Sequence, residues 1–134
     1  MVHEWALAEA VIETISSIAR ERGIKKIKKV ILAIGVLQSI DLDVFKTALD
    51  ILNKDIKPSI EEFIFEEEEA RFQCIKCGFQ WSLSDVKLSD EEREAIHFLP
   101  EAVHAYIKCP RCGSLDYKIL SGRGVLIKRI EGYA

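Results

Sequence analysis

Four cysteines stand in two close pairs, Cys74-Ile75-Lys76-Cys77-Gly78 and Cys109-Pro110-Arg111-Cys112-Gly113, with 31 residues between the pairs. Two residues between cysteines let one tight turn aim both sulfurs at a single ion. The glycine after each pair can take the positive φ that turns backbone N–H groups back toward the sulfurs. Two such halves predict a tetrahedral four-thiolate site at Cys74, Cys77, Cys109 and Cys112. With sulfur in every position there is no room for water or substrate, so the expected role of that metal is structural. A second chemistry is written at the start, Met1-Val2-His3-Glu4-Trp5. A histidine in third place can join the terminal amine and the two intervening backbone nitrogens, once deprotonated, in a plane of four nitrogens around Ni(II) or Cu(II). Zinc has no d-electron preference for that plane, so thiolates and nitrogens could hold two metals apart in one small chain. The plain alternative is a polar residue at a helix start.

Zinc and iron both accept four thiolates. The CxxCG and CPxCG halves also resemble those of rubredoxins, in which one iron carries electrons. A rubredoxin-like chain calls for a Gly/Pro-rich, aromatic-packed loop between the pairs. Here 88–104 contains Asp90-Glu91-Glu92-Arg93-Glu94, which reads as the start of a helix. A redox dithiol pair is a further alternative, and so is a zinc ribbon that only presents a binding surface. Hydrolase chemistry has no support, because the acidic runs 66–69 and 90–94 accompany no candidate nucleophile.

Composition narrows the class. At 134 residues the chain has room for one domain or two very small ones, and 49% hydrophobic with 31% charged residues argues against disorder. A net charge of -3 without a sustained basic stripe argues against nucleic acid; Lys25, Lys26, Lys28 and Lys29 read as the solvated start of a strand. No apolar run reaches the roughly 18 residues of a membrane span, and no secretory leader is seen, so the expected location is the cytoplasm. In that reducing compartment paired cysteines point to metal before disulfides.

The elements that must position these residues follow from periodicity. Trp5, Ala8, Val11, Ile12, Ile15, Ile18 and Ala19 mark one face of a helix over 4–22 that stops at Gly23. An apolar central strand follows over 27–34. Asp41 caps a second amphipathic helix that ends before Pro58. A second strand is expected over 60–72, leaving the core through a solvated acidic run; after Cys112 come Tyr117, Ile119 and Leu120, a break at Ser121-Gly122-Arg123-Gly124, and then Val125, Leu126, Ile127 and Ile130 as a third core strand. The expected fold is α+β or α/β: two helices on a small three-stranded mixed sheet, with an inserted zinc-knuckle module resembling a zinc ribbon. The expected division is 1–69 plus 121–134 for the α/β domain and 70–120 for the insert, which is too small to hold together without a staple.

Taken together, His3-Glu4-Trp5-Ala6-Leu7-Ala8, Ile34-Gly35-Val36-Leu37-Gln38, the two cysteine knuckles and Gly122-Arg123-Gly124-Val125 resemble the HypA-type hydrogenase maturation factors, small nickel metallochaperones of bacteria and archaea. His97-Phe98-Leu99-Pro100-Glu101 and Val103-His104-Ala105 resemble the archaeal branch. The resemblance covers nearly the whole chain. It implies a non-enzymatic protein with structural zinc on the four cysteines and Ni(II) as cargo. The cargo would pass, together with a HypB-type GTPase, to the large subunit of [NiFe]-hydrogenase.

The nickel ligands implied are His3 with Glu4 beside it, the N-terminal backbone nitrogens of Met1 and Val2, and His97 as the archaeal addition. His104 matches a family position and is assigned no ligand role; a packed histidine is the plain reading of both His97 and His104. Two departures stand out. Family members typically begin Met-His-Glu, so Val2 is an extra residue, and removal of Met1 would restore the spacing. Val36 stands where the family often has Glu, and no contact role is assigned to it. A monomer or a domain-swapped dimer is compatible with an insert hung on two linkers.

Overall fold

The structure, a computed structural model, describes residues 2–37 and 40–134, with only the backbone described for Val2 and His97. In chain order the main elements are α1 (Val2–Arg22), β1 (Lys26–Gly35), α2 (Leu42–Asn53), β2 (Ile60–Glu68), β3 (Arg71–Cys74), β4 (Gln80–Ser82), α3 (Asp90–Phe98), α4 (Val103–Tyr106), β5 (Tyr117–Ser121) and β6 (Val125–Tyr133). Contacts divide the chain into two units, Met1–Ala33, Ile40–Glu66 and Leu126–Ala134 in the first, Ile34–Ser39 and Glu67–Val125 in the second. Among the described residues no helix is long and apolar enough to cross a membrane.

In the first unit, apolar residues at three- and four-residue steps give α1 a buried face of Ala8, Val11, Ile12, Ile15 and Ala19. Glu4 in its first turn and Arg20 and Arg22 in its last turn complement the helix dipole. Gly23, at φ 65°, supplies the left-handed residue that ends it. α2 begins where the Asp41 carboxylate accepts the Val44 N–H at 3.2 Å. It buries Phe45, Ala48 and Leu49 and packs on α1. Asn53 secures the connection onward: its side-chain amide donates to the Ile60 carbonyl and accepts the Ile60 N–H, both at 2.8 Å.

The first sheet has the order β2-β1-β6. Lys26 meets Glu61 at one end of β1 and the Val36 N–H donates to the Glu68 carbonyl just past the other, so β1 and β2 run parallel. Lys25 N–H to Tyr133 and Gly35 N–H to Gly124 make β6 antiparallel to β1. The sheet is therefore mixed, and α2 is the crossover that the parallel pair requires. As the central strand, β1 buries Val30, Ile31, Leu32 and Ala33 in succession rather than alternately.

The second unit carries an antiparallel sheet of order β4-β3-β5. Its register sets Phe72 opposite Trp81 and Cys74 opposite Tyr117. These rings interlock, with Phe72–Trp81 centroids 5.5 Å apart and Trp81 edge-on to Tyr117 at 5.1 Å. Leu37, Ile96, Val103 and Ile107 complete that core, and Val36 packs against it.

Several expectations from the sequence are corrected here. The strand expected over 60–72 is two strands, β2 and β3, parted at Glu69 and the fully buried Ala70. The third core strand expected after the 121–124 break is β6, in the first sheet, whereas Tyr117, Ile119 and Leu120 before the break lie on β5, which pairs with β3 in the second. The acidic run is not merely solvated, since Glu66 holds Lys128, Glu68 accepts the Gly122 N–H at 2.7 Å and Glu69 accepts the Ser84 hydroxyl at 2.9 Å.

Candidate metal centres

Both cysteine turns are built alike. Cys74 donates its N–H to the Phe79 carbonyl and receives on its own carbonyl the N–H of Gly78. Cys109 does the same with Ser114 and Gly113, all at 2.9–3.0 Å. Gly78 and Gly113 each sit at φ 76°, the left-handed conformation that closes such a turn and that a side chain disfavours. The Cys77 N–H points back at the Cys74 sulfur at 3.5 Å. In each turn the first cysteine is buried and the second exposed. β3 delivers Cys74 and the paired β5 fixes the opposite side, with Ile75 N–H on the Asp116 carbonyl at 3.0 Å.

The four sulfurs lie within 4.8 Å of one another, with Cys74–Cys112 at 3.5 Å and Cys77–Cys109 at 3.6 Å. Those separations are far too long for disulfides, whose sulfurs are about 2 Å apart. They approach the roughly 3.8 Å edge of a tetrahedron with metal–sulfur bonds of about 2.3 Å. The donor set suits a cation as well. The Cys74 thiol is lowered by the Cys77 N–H against the cost of burial. Burial opposes ionisation of Cys109, yet the Cys112 and Arg111 N–H groups bring it down to about 7. The Ser114 N–H favours the Cys112 thiolate, but Cys74, burial and the other sulfurs push it up to about 11. Four adjacent thiolates repel one another, and a divalent ion at their centre removes that repulsion. Geometry and chemistry are thus compatible with zinc.

His3 and Glu4 lie in the first turn of α1, His3 exposed and Glu4 only 5% exposed. Both belong to the first unit. Met1, named as a source of a backbone nitrogen, lies outside the described residues, as does Gln38; Val2 opens the helix. A helix makes no internal bond at its first-turn amides, so ligation by backbone nitrogens there need not break it. Trp5 is half-buried. His97 is the next-to-last residue of α3, in the second unit. His104 is half-buried with its ring 4.4 Å from that of Tyr117, a packed arrangement.

Other positioning groups are visible only in three dimensions. The Tyr117 hydroxyl lies 2.8 Å from the Val103 carbonyl and 2.9 Å from that of Ile107, two residues before Cys109. Its own sequence neighbourhood carries no sign of this. The start of α3, by contrast, is spelled out: Ser89 and Glu92 exchange side chain-to-backbone bonds at 3.1 and 3.0 Å, and Ser-x-x-Glu is the signature of that capping box.

A family model described as "Hydrogenase/urease nickel incorporation, metallochaperone, hypA" matches residues 2–132. The hydrogenase maturation factor HypA of Pyrococcus horikoshii is 45% identical over 132 residues, covering 97% of this chain and 95% of that protein. Its counterpart in Pyrococcus furiosus is 44% identical over 131 residues, with 96% and 94% covered. Among solved structures, the solution structure of the Ni metallochaperone HypA from Helicobacter pylori matches with a TM-score of 0.69 over 98% of this chain and 97% of that one. At 17% identity that likeness speaks for the fold.

Proposed function

Because this chain belongs to the HypA family of nickel-incorporation metallochaperones and hydrogenase maturation factors, we propose that it binds Ni(II) at its N-terminus and delivers it to [NiFe]-hydrogenase. The observation that carries this reading is the family match over 2–132, which spans the His3-Glu4 start and all four cysteines. Nickel is held by the His3 imidazole, Glu4 and the backbone nitrogens of Met1 and Val2, with His97 as a further ligand. Cys74, Cys77, Cys109 and Cys112 hold zinc, which keeps the second unit folded and takes no part in transfer. The division of labour follows 1–69 with 121–134 for nickel and 70–120 for zinc. The protein works in the cytoplasm without turnover of its own. A HypB-type GTPase and the hydrogenase large subunit are its partners, and it acts as a monomer or a domain-swapped dimer.

A carrier must select its ion and then surrender it. Ligands on a chain terminus suit this, because fraying a few residues opens the site at small cost. Protons compete with nickel for imidazole and amide nitrogens, so mild acid promotes release.

The test is native mass spectrometry of untagged protein with and without one equivalent of Ni(II), beside His3→Ala. One zinc per chain plus one nickel that disappears in His3→Ala is the expected result. The same spectrum reports whether Met1 is retained and how many chains associate. Zinc without His3-dependent nickel would leave a zinc-ribbon binding module, and iron on the cysteines would leave an electron carrier.

A further inference from the structure

Two sequence blocks are given no ligand role above: Gly122-Arg123-Gly124, and the Pro100-Glu101 that follows His97-Phe98-Leu99. In the second unit they meet, because the Arg123 guanidinium pairs with the Glu101 carboxylate. The two ends of this contact are held very differently.

The loop that displays Arg123 is fixed on every side. Gly122, at φ 92°, lies on Ala70, where a Cβ would come within 2.6 Å of the Ala70 Cα. Gly35 fits directly against the Gly122 carbonyl, with no space for a Cβ. The Gly124 carbonyl accepts the Gly35 N–H at 2.7 Å, and the Gly122 carbonyl accepts the Leu37 N–H at 2.8 Å. Glu68 accepts the Gly122 N–H, and the Ser121 hydroxyl donates to the Glu69 carbonyl at 2.7 Å. Arg123 therefore projects from a rigid post.

Glu101 belongs to a segment that, among the described residues, is held more lightly. Phe98 is 87% and Leu99 55% exposed, and the nearest residues packed in the core are Ile96 before them and Ala102 and Val103 after. Past the end of α3 the backbone bonds are short-range: Leu99 N–H to Ala95, Ala102 N–H to Leu99, and Val103 N–H to Pro100 and Glu101.

We propose that Arg123 is a positioning residue: through Glu101 it tethers the 97–101 segment to the Gly122–Gly124 post and so restricts where His97 can be presented. The tether itself stands on the contact and on the unequal anchoring; its bearing on nickel rests on the reading of His97 as a ligand. With both side chains about half-exposed, such a pair is readily broken, contributing about a two- to fivefold bias toward the held state. That strength suits a segment that must hold an ion and then release it.

The test uses the full-length, zinc-loaded chain in Arg123→Ala, Glu101→Ala, the charge swap Arg123→Glu/Glu101→Arg, and Arg129→Ala as a surface-pair control. Amide hydrogen exchange over 95–102, without nickel, reads the tether. Exchange should quicken about two- to fivefold in each single variant, return toward wild type in the swap, and stay unchanged in Arg129→Ala. Unchanged exchange in Arg123→Ala overturns the proposal. Nickel titration of the same variants reads the consequence. Affinity should fall by a similar factor in Arg123→Ala, and that effect should vanish in a His97→Ala background. If His97→Ala weakens nickel while Arg123→Ala does not, positioning is refuted. If His97→Ala leaves nickel untouched while exchange still responds, the ligand reading of His97 fails and the tether stands.

Discussion

Replacing Tyr117 by phenylalanine removes one oxygen and leaves the ring that packs against Phe72, Trp81 and His104. That oxygen has one proton to share between the Val103 carbonyl at 2.8 Å and the Ile107 carbonyl at 2.9 Å. Val103 also accepts the Ile107 N–H at 2.8 Å, so its carbonyl stays paired in the variant. The Ile107 carbonyl is the one put at risk, in a residue 1% exposed. Losing a buried bond and orphaning one acceptor costs about 1–3 kcal/mol. In a unit of this size, each kcal/mol corresponds to roughly 4–8 °C in Tm. Urea unfolding of the zinc-loaded protein, followed by near-ultraviolet circular dichroism of the aromatic cluster, would measure it.

The same substitution has a signature in pH. Burial raises the Tyr117 hydroxyl above its ordinary pKa of 10. The unfolded chain gives up this proton near pH 10, while the folded chain still holds it. The stabilisation is complete below pH 10 and is lost above it, by up to about 1.4 kcal/mol per pH unit. Tyr117→Phe should lack that alkaline component, so the gap between the two proteins narrows as pH rises past 10. A variant within about 0.3 kcal/mol of wild type at neutral pH, with the same alkaline decline, would refute the role given to the hydroxyl.

Gly35→Ala drives a methyl into the Gly122 carbonyl and should cost roughly 2–3 kcal/mol, read as a lower urea midpoint. Asp41→Ala removes the cap of α2 and should cost about 1 kcal/mol with the zinc content unchanged by mass spectrometry. Cys112→Ser, or chelation of the wild type, should abolish the aromatic circular-dichroism signal of the second unit while most helical signal from α1 and α2 survives. Nickel occupancy should fall between neutral pH and about pH 5.5 in equilibrium dialysis; unchanged occupancy would argue against nitrogen ligation.

Local chemistry made much of this protein legible from its sequence. Two residues between cysteines and a glycine after them predict a metal-binding turn, and both turns carry the same bonds and the same φ. One-sided periodicity marked α1 and α2, and Asp41 marked where α2 begins. The His3-Glu4-Trp5 start and the cysteine quartet together identified the family. Each of these signals acts across a few residues, so the chain displays it directly.

Tertiary structure decided what depends on residues far apart. A break at Ser121-Gly122-Arg123-Gly124 can be read in the chain, but not the packing that goes with it, in which Gly122 lies on Ala70 and Gly35 fits against Gly122. The acidic run looked like an edge for water because its partners, Lys128, Gly122 and Ser84, lie elsewhere in the sequence. Tyr117 could be read as apolar in pattern, but its hydroxyl finds acceptors only once 103–107 folds over it. Hydrogen bonds and ion pairs are selected by distance in space, and until the sheets pair that distance has no expression in the order of residues.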